Sequence, residues 1–181
     1  MIKPVLLVLY NFLRFQIGRL FFLQSMDIHY IQRISPSCTV KLFNHGRLKI
    51  GRNCELAAGC DLQVHGEGVL TIGNGVYMNR YCMVSAHGSV EIGDGRFFGP
   101  GVRIFDNNHR FDVDDGVSSK LSIGTIRIGR KCWIASNVIL LKGADIGDNC
   151  VIGAGCIVNG RIPSGSIVRP NVTNIIEEIK K

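Results

Sequence analysis

With 181 residues, 46% of them hydrophobic and 19% charged, the chain suits one globular domain and is too apolar for intrinsic disorder. Its 22 glycines follow no G-X-Y period, which excludes a collagen-like rod. The formal charge of +7 sits at the front: residues 1–60 hold eight Lys/Arg against Asp27 and Glu55, while the remainder is close to balanced. Without interleaved aromatics or a recognition motif, that charge makes no case for nucleic-acid binding.

The first element in chain order is an apolar stretch, Val5–Leu23, broken by Asn11, Arg14, Gln16 and Arg19. Its longest uninterrupted apolar run is six residues, far short of a membrane-spanning helix. As a helix within a segment 1–33, it gathers Asn11, Arg14 and Gly18 on one face and leaves a broad apolar surface opposite. Two uses stay open. The helix packs on the rest of the protein or on a partner subunit, or it lies on an anionic membrane surface, helped by the local positive charge.

From Ile50 a period of six sets in. Apolar beats fall at Ile50, Leu56, Leu62; Ile72, Met78, Val84; Ile92, Phe98, Ile104; then, after a break, Ile128, Ile134, Leu140 and Ile146, Ile152, Val158. The residue after a beat is usually small, as in Gly51, Ala57, Gly73, Ser85 and Gly93. A six-residue period matches neither an amphipathic helix nor a hairpin array and is the signature of a parallel β-helix, in which stacked coils bury a core no single hexad can bury. Six of the seven cysteines (Cys54, Cys60, Cys82, Cys132, Cys150, Cys156) lie four residues after a beat, where Val76, Val102, Val138 and Ala144 also stand. They read as small inward-facing fillers rather than as metal or redox ligands. The odd count, the lack of CxxC and the lack of a convincing secretory signal predict a reduced, cytoplasmic protein.

Grouped in threes, the beats define coils, and every irregularity falls between a third beat and the next first beat. Leu62 to Ile72, Val84 to Ile92 and Ile104 to Ile128 all exceed six residues, so the insertions stack along one corner of a prism. Loops on one side of a solenoid commonly form its binding surface. His65 and His87 each stand three residues past a third beat, and Asn107 is the corresponding residue one coil later. The longest insertion, about residues 106–125, opens with Asp106-Asn107-Asn108-His109-Arg110-Phe111-Asp112. The acidic run Asp112–Gly116 lacks the glycine and glutamate of a calcium loop and reads as solvated.

These hexads resemble the left-handed β-helix of the hexapeptide-repeat acyltransferases over about residues 50–168. The resemblance implies an all-β fold: a left-handed parallel β-helix over 34–168, preceded by the amphipathic helix and followed by a short C-terminal helix or cap over 169–181. It also implies a homotrimer with acetyl-CoA, the acyl donor, lying between neighbouring prisms, and no metal. His109 precedes Trp133 by 24 residues, the interval that separates the catalytic histidine from a tryptophan in galactoside acetyltransferases. His109 is thereby the implied general base, a role that suits a group titrating near neutrality.

Asn79 matches an asparagine near the acceptor sugar, and His87 stands where an acceptor-contacting aspartate would be. That departure argues against a galactoside-like acceptor, and Asn107 joins these two as a substrate-binding candidate. Trp133 resembles the aromatic beside the pantetheine arm, and Ser136 and Ala154 match cofactor-contacting turns. Ser136 is also suited to steadying a developing oxyanion. Where relatives carry Thr-Lys this chain has Asn159-Gly160, so Arg161 and Arg169 become the candidates for the coenzyme phosphates.

The Asp-x-x-His break, the apolar-basic front and the ending Gly160–Val168 resemble bacterial O-antigen and capsule O-acetyltransferases. They imply a glycan or lipid-linked glycan acceptor and peripheral contact with the inner face of the cytoplasmic membrane. A soluble mono- or disaccharide, or an antibiotic, is the alternative acceptor. A γ-class carbonic anhydrase shares the fold, and His65, His87 and His109 are its formal zinc set. Trp133 at the cofactor spacing favours acyl transfer over that reading and over a non-catalytic scaffold.

Overall fold

Backbone hydrogen bonds in this chain run mainly between successive turns of the solenoid. In the computed structural model, which describes residues 2–21, 25–114 and 116–171, three parallel sheets of seven, seven and six strands wrap one core. The first face begins with Met26–Ile28, Arg47–Ile50, Val69–Ile72 and Ser89–Ile92, and continues with Thr125–Ile128, Asp145–Ile146 and Arg161–Ile162. The second face runs from Gln32–Ile34 to Ile167–Val168, and the third from Thr39–Leu42 to Ile157–Val158. Beats pair with beats throughout: Ile50 with Ile72, Ile72 with Ile92, Ile92 with Ile128 and Ile128 with Ile146.

The stack is longer than the periodicity from Ile50 indicates. A further coil precedes it, with Ile28, Ile34 and Val40 registering on Ile50, Leu56 and Leu62. Two faces of a seventh follow Val158. The solenoid therefore starts at Met26 rather than 34, and the helix occupies only Ile2–Phe21 of the 1–33 segment. The early coil keeps the same spacing but is hard to read because His29 and Lys41 follow its beats where later coils carry small residues, and Gln32 fills an inward slot. The expected C-terminal helix lies outside the described residues.

Close stacking explains the small residue after many of the beats. A Cβ on Gly73 would lie 2.7 Å from the Gly93 carbonyl carbon, and one on Gly99 would lie 2.5 Å from the Ser136 nitrogen. After every first and second beat from Ile28 to Ile152 the inward slot four residues on is buried, and all seven cysteines occupy such slots as free thiols, Cys38 of the first coil included. They do more than fill space. The thiols of Cys54, Cys60, Cys132 and Cys150 donate to carbonyls of the neighbouring turn (Gly73, Asn79, Gly147 and Pro163), each at 3.1 Å, and so satisfy acceptors a valine would leave bare. The Cys38 thiol pulls the Cys60 pKa down, but the Cys82 thiol and burial outweigh it and push it up to about 11.

Two inward slots hold polar groups that the hexad pattern passes over. Gln32 is fully buried and satisfied: its amide donates to His29 and Gly51 carbonyls and accepts from the Cys54 N–H. Arg96 is equally buried, donates one bond to the Asp94 carbonyl, and leaves Nε and one terminal nitrogen without a partner.

The helix caps the open first coil in an inverted sense. Its polar stripe faces the protein: the Asn11 amide donates to the Ile34 carbonyl at 2.9 Å and the Arg14 guanidinium to the Cys38 carbonyl at 2.7 Å, with Phe15 buried beside them. Coil carbonyls with no earlier coil to pair with attract these donors. Val5, Leu6, Leu9, Leu13, Ile17 and Leu20 are consequently turned outward, each more than half exposed.

Replacing a buried, half-satisfied cation with an apolar residue of similar length removes a desolvation cost. Arg96→Met is expected to stabilise the fold by about 1–3 kcal/mol, read as a higher thermal midpoint. A lower midpoint would show that the guanidinium is needed in that slot.

Candidate active site

The long insertion folds as an antiparallel hairpin, Asn107–Asp112 against Gly116–Ile123, on the corner between the third and first faces. Its base is tied by Asp106, which is fully buried. The Asp106 carboxylate accepts the His87 N–H at 2.9 Å and the Gly88 N–H at 2.8 Å, and its carbonyl accepts the Gly124 N–H at 2.8 Å. One residue thus joins both ends of the hairpin to the preceding coil. From the following coil, Lys142 braces the second strand by donating to the Ser122 hydroxyl at 2.6 Å. Neither residue was among the expected site residues. The Asp-x-x-His spacing carried the signal for Asp106, whereas Lys142 has none, because its contact depends on the hairpin lying against the next coil.

His109 is exposed on the first hairpin strand, beside a register shift that falls between His109 and Phe111. Such shifts re-aim side chains. Its Nδ1 lies 3.0 Å from the Ser118 carbonyl, which can only accept, so the proton sits on Nδ1 and the Nε2 lone pair is free. That tautomer is the one a general base requires. Asn107 is part-buried at the hairpin base, its amide directed at the Ser85 carbonyl and the Asp106 carboxylate.

His87 lies one coil below, with its ring stacked on His65 at 4.3 Å and 3° between planes. The two rings lie in parallel planes, so their nitrogen lone pairs do not converge on a point. Burial and the adjacent His65 push His87 below the usual histidine value, and Asp106 opposes that shift.

The remaining candidates lie elsewhere on the prism. Asn79, Ser136, Ala154 and Arg169 share the corner between the second and third faces, with the Asn79 side-chain oxygen accepting the Arg80 N–H. Trp133 projects from the second face, 55% exposed, in an aromatic stripe that registers Tyr77 on Phe97 and Phe97 on Trp133. Arg161 departs from this group: it pairs with Asp145 on the first face and lines a groove of about 240 Å³ with Arg127, Asp148 and Ser164. Within one chain, then, His87, Asn107 and His109 form one cluster and Asn79, Ser136, Ala154 and Arg169 another. The width of the third face, roughly 10–13 Å of strand, separates them.

The pH dependence follows from the His87 shift. With its folded value held below 6.5, the unfolded chain takes up the proton first. Stability is complete above that value and declines as pH falls through it. In thermal melts, His87→Gln is expected to flatten the decline below pH 6.5. An unchanged slope would show that His87 is not its source.

Comparison with known proteins agrees with this architecture. The family model described as bacterial transferase hexapeptide (six repeats) matches residues 125–160. The putative lipopolysaccharide biosynthesis O-acetyl transferase WbbJ of Escherichia coli K12 is 31% identical over 144 residues, covering 75% of this chain and 74% of that protein. Galactoside O-acetyltransferase of Escherichia coli K12 is 34% identical over 91 residues, half of this chain and 45% of that one. Among solved structures, a hexapeptide-repeat acetyltransferase of Vibrio cholerae complexed with acetyl coenzyme A superposes with a TM-score of 0.56 at 18% identity, over 93% of this chain and 77% of that one, a likeness of fold. The six-residue beat, the triangular coil stack and the extent of the first match agree that the chain belongs to the hexapeptide-repeat family of acetyl-CoA-dependent acetyltransferases.

Proposed function

We propose that the protein transfers an acetyl group from acetyl-CoA to a sugar hydroxyl of a bacterial surface polysaccharide or its lipid-linked precursor, with His109 as general base. The observation that carries this is the free Nε2 of His109, fixed by the Nδ1 bond to Ser118 on a hairpin standing clear of the coil stack. Nε2 takes the proton of the acceptor hydroxyl as its oxygen attacks the thioester carbonyl carbon. The carbon–sulfur bond breaks, and protonated His109 returns the proton to the departing thiolate. Neither a metal nor a covalent enzyme intermediate enters this route.

The residues on the other corner suit the donor. The stripe Tyr77–Phe97–Trp133 runs along the solenoid axis beside Ser136 and Ala154 and leads toward the Arg169 cation, matching an elongated thioester arm that ends in phosphates. Since the two clusters lie on different corners of one prism, the complete site forms where the His109 corner of one copy meets the second-face corner of another, in a homotrimer. That arrangement also supplies the cleft that a convex corner lacks.

The inverted helix supports a station at the inner face of the cytoplasmic membrane. No helix among the described residues is long and apolar enough to cross a membrane. The outward surface from Val5 to Leu20 suits shallow insertion instead, and residues 1–26 contain Lys3, Arg14 and Arg19 but no acidic residue. A surface-bound enzyme meets a lipid-linked glycan directly. The similarity to WbbJ favours this acceptor class over a small soluble one.

His109→Ala is expected to lower acetyl transfer to a glycan acceptor by about 10²–10⁴-fold with the assembly intact, measured by mass spectrometry of the product. Near-normal turnover would remove His109 from the base role. Leu9→Asp with Leu13→Asp is expected to abolish sedimentation with phosphatidylglycerol vesicles while preserving the β-rich circular dichroism spectrum. Retained sedimentation would overturn the membrane reading, and a change in oligomeric mass instead would assign the face to another copy.

A further inference from the structure

The hairpin stands at one end of a column that continues down the same corner, away from the reacting groups. Phe43, His65 and His87 stack ring on ring in three successive coils, at 4.4 Å and 10°, then 4.3 Å and 3°. Phe43 is 41% exposed, and among the described residues no further ring stacks beyond it. At the end of the column Phe43 thus presents aromatic surface to solvent.

A polar edge runs alongside on the third face. The Thr39 hydroxyl donates to one Asp61 carboxylate oxygen, the Gln63 amide donates to the other at 2.6 Å, and the Gln63 carbonyl oxygen lies 3.3 Å from His65 Nε2. Each planar group is held by its neighbour, so its orientation is set before anything binds. The coil core does not require this set, since all four side chains point away from it. Exposed aromatic surface beside fixed, planar amide and carboxylate groups is the chemistry that recognises a pyranose: the ring stacks its C–H face on the phenyl, while adjacent hydroxyls bridge the polar edge.

Resting on the transferase reading above, we propose that Phe43, Asp61 and Gln63 form a remote acceptor subsite, and that the acceptor is an oligosaccharide lying along this corner with its reacting sugar at His109. At about 4.8 Å per coil, Phe43 lies roughly 14 Å from the hairpin coil, a span of about two to three pyranose units. The column also runs toward the coil that the inverted helix caps, so the far end of the glycan points to the same end of the solenoid as the outward apolar face. A lipid-linked chain anchored there would reach His109 along the column.

The test is acetyl transfer from acetyl-CoA to a panel of mono- to tetrasaccharides in gluco-, galacto-, rhamno- and N-acetylhexosamine series, with products read by mass spectrometry. In the best series, kcat/KM of the wild type is expected to rise at least about tenfold from mono- to trisaccharide. Phe43→Ala and Gln63→Ala are expected to remove most of that rise through KM, with kcat and the thermal midpoint little altered. A wild type indifferent to chain length would overturn the subsite while leaving the transferase reading standing, as would variants that lower mono- and trisaccharide rates in equal proportion. No acetylation of any member would overturn both.

Discussion

A coil of this protein satisfies its backbone only through the coils above and below it. Amide to carbonyl bonds climb from Gly51 to Ile72, from Gly73 to Ile92, from Gly93 to Ile128 and from Gly129 to Ile146. The core positions are fixed by that ladder, because shifting one strand would misplace all its partners at once. The ladder also explains why a long hairpin is tolerated. Ser89–Ile92 pairs directly with Thr125–Ile128 and Arg103–Phe105 with Ile139–Leu141, so the hairpin after Phe105 leaves and returns at one corner without interrupting a sheet. The hairpin is an excursion that the stack closes beneath.

The same requirement shapes the end of the solenoid. The first coil has no predecessor, and its Ile34 and Cys38 carbonyls would otherwise stay bare. The helix answers with Asn11 and Arg14, which obliges its apolar residues to face away. A helix docked by its apolar side would have left those carbonyls unpaired. The outward hydrophobic surface is thus a consequence of how the fold is capped.

The chemistry divides between two corners for an equally physical reason. Corners are where side chains leave the sheets and where turns can lengthen, so the candidate site residues gather there. Asp106 ties the His109 hairpin to the coil below, and Lys142 braces it from the coil above. Between them, an exposed histidine gains a defined tautomer and orientation without being buried. The second group of candidates lies beside the second-face stripe on a different corner.

Much of this was legible in the residues. A strict six-residue beat determines a β-helix because no other backbone geometry repeats its inward direction at that interval. The position of the excursion, and His109 within it, followed from the register. The early coil was masked by composition rather than spacing, since His29 and Lys41 follow its beats and Gln32 fills an inward slot. Arg96 and Gln32 show that an inward slot does not dictate an apolar residue, and the thiol-to-carbonyl bonds show why cysteine is favoured there. Asp106 and Lys142 act through neighbours 18 to 20 residues away, whereas Phe43, His65 and His87 each stand three residues past a third beat, so their stacking follows the register. The sequence by itself determined the repeat, its period and the place of its interruption, because those are local and periodic. Only the tertiary structure decided which way the helix faces, how the hairpin is anchored and which candidates share a corner, because each depends on groups meeting between coils rather than along the chain.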